Sequence, residues 1–207
     1  METNINKNGF TLIELLVSMV IFAGLMFVAD NLLISVLQNP QQYTIAMDNV
    51  EHSKMVAATF VEELRNASTG NDGSYPLSQA GDSQIVFYTK FGSTGTAVDR
   101  IRYYLSGSTL YKGVIVPTGS PLSYNLAAEV VKPIITVISN GPNPVFYYYD
   151  GNYGGSGTPI SQPVNINNIK FAEINLLVQS QLSKTSTSSF PITAGAAIRN
   201  LKDNLGD

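Results

Sequence analysis

The chain has 207 residues, of which 44% are hydrophobic and 13% charged, with a net charge of −3 and no cysteine. That length fits one domain with an appendage, and a charged fraction about half of the usual ~25% excludes a charge-rich disordered chain. Without cysteine there can be no disulfides, iron–sulfur clusters, thiol nucleophiles or thiolate zinc sites, and with His52 as the sole histidine a two-histidine metal site cannot be built.

A mean hydropathy of +0.08 is too low for a protein that crosses a membrane many times and high for a wholly soluble one, so one membrane segment is expected. It lies near the start. Residues 10–29 read FTLIELLVSMVIFAGLMFVA, an apolar run whose single charge is Glu14. As a helix, at ~1.5 Å per residue, a run of this length spans about 30 Å, the thickness of a bilayer's hydrocarbon core. The polar leader METNINKNG precedes it with Lys7, and Asp30 follows, a small bias that sets the leader in the cytoplasm and the rest outside. A cleaved secretory signal is the bland alternative. The run exceeds the usual ~7 to 15 apolar residues of a signal core, and bulky Phe27 stands two positions before Ala29, the one small-residue cleavage point. Placing Glu14 in hydrocarbon costs on the order of 2.5 to 3.5 kcal/mol, so this acid needs a partner or a purpose.

The order of residues across the junction sharpens the reading: Lys7, Asn8, Gly9, Phe10, Thr11, Leu12, Ile13, Glu14, Leu15. It closely resembles the processing site of type IV pilins and type II secretion pseudopilins, a Gly followed by Phe, Thr-Leu-Ile-Glu and an apolar helix. The resemblance implies that a membrane-embedded prepilin peptidase cuts between Gly9 and Phe10 and methylates the new amino group of Phe10. It also implies that Glu14 meets the Phe10 amine of a neighbouring subunit during filament growth. The physics agrees: Gly9 lets an extended backbone fit closely into a protease cleft, and Glu14 falls one helical turn beyond Phe10. A contact between Glu14 and the N-terminus of its own helix is the alternative.

The helix is expected to continue to residue 38, where Asn39-Pro40 makes a kink or a restart. From residue 41 to 66 the stripe Tyr43, Met47, Val50, Ala57, Val61, Leu64, with Ala46, Val56 and Phe60 beside it, follows helical spacing and should pack on a sheet. Glu51, His52, Lys54, Glu62, Glu63 and Arg65 are placed off that face, which makes His52 a solvated helix residue. Asn66-Ala67-Ser68 reads as a helix stop. Beyond Gly70, short strands are expected at 84–91, 100–105, 109–116, 134–138, 145–149, 169–178 and 192–199, with Ser106-Gly107-Ser108 a tight hairpin connection. One long N-terminal helix, membrane-spanning in its first half, on a mostly antiparallel sheet gives an α+β fold. Three regions follow: leader 1–9, transmembrane and assembly helix 10–38, and outer domain 39–207. Segments 85–114, 145–152 and 197–201 resemble minor pilins and pseudopilins of the J or W type.

Other signals are weaker. Tyr147, Tyr148 and Tyr149 alternate as a strand does, and packing is their expected role. Asn71, Asp72, Asp82, Asp150 and Asn152 are read as turn formers rather than calcium ligands. Lys90, Arg100, Arg102 and Lys112 could form a modest basic strip, but an isoelectric point near 5.1 argues against a nucleic-acid surface. Motifs for nucleophile elbows, phosphate loops and zinc proteases are absent. No catalysis, cofactor or metal is expected. The resemblance implies prepilin peptidase, other major and minor pilins or pseudopilins, and inner-membrane lipid as partners, with the body in the periplasm. A single-pass anchored binding protein, such as an adhesin or DNA-uptake module, or a hydrolase is the rival from the sequence.

Overall fold

The computed structural model describes residues 11–37, 40–92, 95, 97–183 and 186–201. Two helices come first, α1 (Leu12–Leu37) and α2 (Pro40–Arg65). Every described side chain of α1 as far as Ile34 is exposed, and its apolar stretch Leu12–Ile34 is long enough to cross a membrane. An apolar stretch whose described side chains are all exposed suits lipid better than water. The helix restarts at Pro40 as expected, while Asn39 lies outside the described residues.

The body is α+β. Strands β1 (Leu77–Ala80), β2 (Gln84–Thr89), β3 (Asp99–Ser106), β4 (Thr109–Ile115) and β5 (Val130–Ile135) form a five-stranded antiparallel meander. Strands β6 (Phe146–Tyr149), β7 (Phe171–Ser183) and β8 (Ser186–Ala197) form a second, three-stranded one. The segment after β5 joins the two, for Ile138 N donates to Ser108 O while Ile138 also bridges Val178 on β7. In the β3–β4 hairpin Ser106 pairs with Thr109, and Gly107 supplies the left-handed turn at φ 60°.

Helix α2 lies across both sheets with Ala46, Ser53, Ala57, Phe60 and Leu64 inward. Phe60 sits among Phe87 of β2, Tyr103 of β3 and Phe146 of β6, with ring centroids 6.2, 5.3 and 5.8 Å away. The helix stops where expected, and Asn66 Nδ2 turns back to donate to Glu62 O at 2.8 Å. Strand β7 runs on to Ser183 where 178 was expected, β8 begins at Ser186 where 192 was expected, and three further expectations change. Met47 was set on the core stripe and is 73% exposed, because the buried face is centred on small residues that admit a close approach; the side chain of Tyr43 lies outside those described. Strand β5 begins at Val130, not at 134, since Lys132 and Pro133 disguise an edge strand. The short strand β1 was not foreseen.

Close packing between β7 and β8 depends on Gly195. A Cβ there would meet Phe171 Cε1 at 2.6 Å and the Ala172 carbonyl oxygen at 2.9 Å. Since the backbone atom cannot swing away, Gly195→Ala is expected to cost about 1–3 kcal/mol, read as a lower midpoint in urea denaturation.

Candidate functional site

The site proposed by the sequence lies at the start of α1. Thr11 caps the helix: its Oγ1 accepts from the backbone N–H of Glu14 at 3.4 Å, and its carbonyl accepts from Leu15 N at 3.2 Å. Glu14 thus sits in the first turn, where a carboxylate is favoured by the helix dipole. Its carbonyl oxygen accepts from Ser18 Oγ at 2.7 Å. Among the described residues no hydrogen bond or ion pair engages the Glu14 carboxylate, and Glu14, Leu15 and Leu16 are all exposed. Gly9 and Phe10 lie outside the described residues, and so does the alternative contact between Glu14 and its own N-terminus.

The basic strip across the body does not form. Register pairs Tyr103 with Lys112, which turns Lys112 to the face that meets α2, while Arg100 and Arg102 point to the opposite face. Three of the four cations have an acid beside them. Lys112 Nζ bonds Glu63, and Arg102 grips Glu129 through Nε at 2.8 Å and through its second terminal nitrogen, with Arg100 4.0 Å from the same carboxylate. The bond to Glu129 holds the Arg102 guanidinium above its usual range.

Glu63 corrects the sequence reading, being 3% exposed rather than solvated. It accepts from Tyr103 Oη at 2.7 Å, and burial together with the Glu63 charge pushes the Tyr103 phenol far up. The trio joins α2, β3 and β4, a paired buried charge that structure can tolerate. Asp99, at the start of β3, is buried as well.

His52 is exposed as expected and does more than face water. Its Nε2 lies 2.8 Å from the carbonyl of Ile134, which can only accept, so the ring donates there and ties α2 to β5. Asp72 Oδ1 accepts from Ser74 N and Asp150 Oδ1 from Asn152 N, the turn roles assigned to them, whereas Asn71 Oδ1 accepts from Val98 N, 27 residues away, and ties two loops together. Tyr148 is buried and its hydroxyl donates to Gly81 O at 2.9 Å, while Tyr149 stacks on Tyr153 at 4.0 Å.

Compared with known families, residues 4–27 match the model of the prokaryotic N-terminal methylation motif. The match spans Gly9, Phe10 and Glu14 and most of the apolar helix. No curated protein matches the chain significantly.

Proposed function

We propose that this chain, which is a type IV pilin-like protein, serves as a minor pilin or pseudopilin that helps initiate or cap a type II secretion pseudopilus or a type IV pilus. One observation carries the reading: Glu14, the only charge of residues 10–29, stands one turn into an apolar helix whose described side chains are all exposed. An intramembrane carboxylate that no other described residue engages calls for a partner, and a cleaved Phe10 amine on a neighbour supplies the matching charge. The N-terminal apolar helix and the motif fit a single-pass inner-membrane anchor. In this reading the body is periplasmic and joins a filament after processing.

The role is structural rather than catalytic. Supporting the J- or W-type assignment are the retained acid at 14 and the β2–β3–β4 meander, which runs through the segment whose strand, loop and turn order resembles that subgroup. Expression with and without a prepilin peptidase tests the whole. Mass spectrometry of the purified chain should show loss of residues 1–9 and one added methyl on Phe10 only when the peptidase is present. A chain left intact by an active peptidase overturns the reading.

A further inference from the structure

Strands β4 and β5 build a groove of about 590 Å³ on the side of the sheet from which Lys112 reaches Glu63. Small-molecule sites run from ~300 to 1,000 Å³, so its size suits a ligand. Register sets Lys112 directly opposite Lys132, and Val114 opposite Val130. Val116 and Ala128 line the groove further along in the same direction. The groove thus has a cationic end followed by an apolar floor, and from Lys132 to Ala128 it extends about 13 Å at the rise of a strand.

Neither end is completed within the chain. Like charges directly opposite on neighbouring strands repel, and only one of these two is answered: Lys112 bonds Glu63, whereas among the described residues no acid pairs with the exposed Lys132. Glu129, close by in sequence, is turned to the other face of the sheet, where it holds Arg102. At the apolar end Val116 is 56% exposed and Val130 59%. Addition of another strand does not answer this, because Lys132 and Pro133 give β5 the composition of an edge that resists pairing.

An anion with an apolar tail satisfies both ends together. The Lys112 ammonium has three donors and gives one to Glu63, so it can share a head group with Lys132. A strand advances three backbone bonds per residue, and an extended alkyl chain of about twelve carbons therefore matches the floor in length. Distance selects a ligand with one chain. His52 bonds the Ile134 carbonyl next to the lysine end, and about 18 Å of α2 separates it from Pro40. A lipid held by two chains stays in the bilayer, whereas a single chain binds membranes reversibly and exchanges through water.

We propose that the groove over β4 and β5 binds a single-chain anionic amphiphile, its carboxylate or phosphate head on Lys132 and Lys112 and its alkyl chain over Val114, Val130, Val116 and Ala128. Such binding needs neither processing nor assembly, so it goes beyond the pilin reading and does not rest on it.

Photolabelling of the full chain in membrane vesicles tests this. The probe is dodecanoate carrying a diazirine at its far end, and tandem mass spectrometry locates the residues it marks. Helix α1 takes up label from probe dissolved in the lipid and serves as the internal reference. A second cluster of label is expected within residues 114–130. Excess dodecanoate or dodecyl phosphate should remove it, the stronger competitor identifying the head group, while inorganic phosphate and dodecyltrimethylammonium should leave it in place. Lys132→Glu should cut it about five-fold relative to α1, the worth of one partly exposed charge contact, and Lys132→Arg should keep it. Label confined to α1 overturns the proposal, and a protein partner already seated in the groove would give that result. Equal competition by the cationic amphiphile overturns it as well, since the groove would then be an apolar patch without head-group recognition. So does competition by inorganic phosphate, which would mean an anion site without a tail, or full labelling of Lys132→Glu.

Discussion

Glu14→Ala should be processed and inserted as well as the parent chain, yet fall at least a hundred-fold in recovery with sheared filaments relative to the membrane fraction. The two halves of that result come from opposite terms. Removing the carboxylate relieves a cost on the order of 2.5–3.5 kcal/mol at mid-membrane, so insertion can only become easier. Assembly suffers because the neighbour's Phe10 amine loses its partner in a low-dielectric core, and breaking a buried pair from one side costs about 3–5 kcal/mol, more than two orders of magnitude in an association constant. The local helix is not the cause of the loss, for Thr11 caps α1 through the Glu14 backbone N–H, which alanine keeps. Glu14→Gln, which keeps the shape and drops the charge, should behave like alanine. Quantitative immunoblotting of sheared and membrane fractions decides it, and parental recovery of Glu14→Ala would remove the intersubunit role.

Much of this was legible because it is local. The junction Gly9-Phe10-Thr11-Leu12-Ile13-Glu14 and the apolar run behind it are contiguous, and a membrane helix needs no tertiary partner to be recognised. The hairpin at Gly107, the stop at Asn66 and most strands followed equally from neighbours in sequence. What escaped was long-range. Glu63 meets Tyr103 and Lys112 only after α2 is laid on β3 and β4, so its sequence neighbours Glu62 and Arg65 suggested solvent. The helical phase was also drawn through the larger apolar side chains, which put Met47 inside. The true phase runs through Ala46, Ser53 and Ala57, since small residues allow helix and sheet to close up. Strand β5 was shifted because Lys132 and Pro133 carry the composition of an edge, and an edge strand is chosen partly for what it must not pair with.

Phe60→Ala should destabilise the body by about 3–5 kcal/mol, lowering the thermal midpoint by roughly 6–20 °C. Phe60 has no exposed surface and is the point where α2 meets both sheets at once. Phe87 and Tyr103 stack with their planes 7° apart, and Phe60 stands edge-on to each, with Phe146 of the second sheet tilted at 43° on its other side. Truncation leaves a void bounded by three rings that are themselves fixed: Tyr103 by its bond to Glu63, Phe87 within β2 and Phe146 at the start of β6. Since these walls cannot collapse inward, the cavity term adds to the lost transfer energy and places the cost toward the upper end of the range. Met55→Ala, one turn away on the outer face, should change stability by no more than about 0.5 kcal/mol. Thermal melts of the detergent-solubilised full chain followed by near-ultraviolet circular dichroism, which reports the packed tyrosines, compare the two. Equal loss at both positions would mean that Met55, 57% exposed, nonetheless packs within the body.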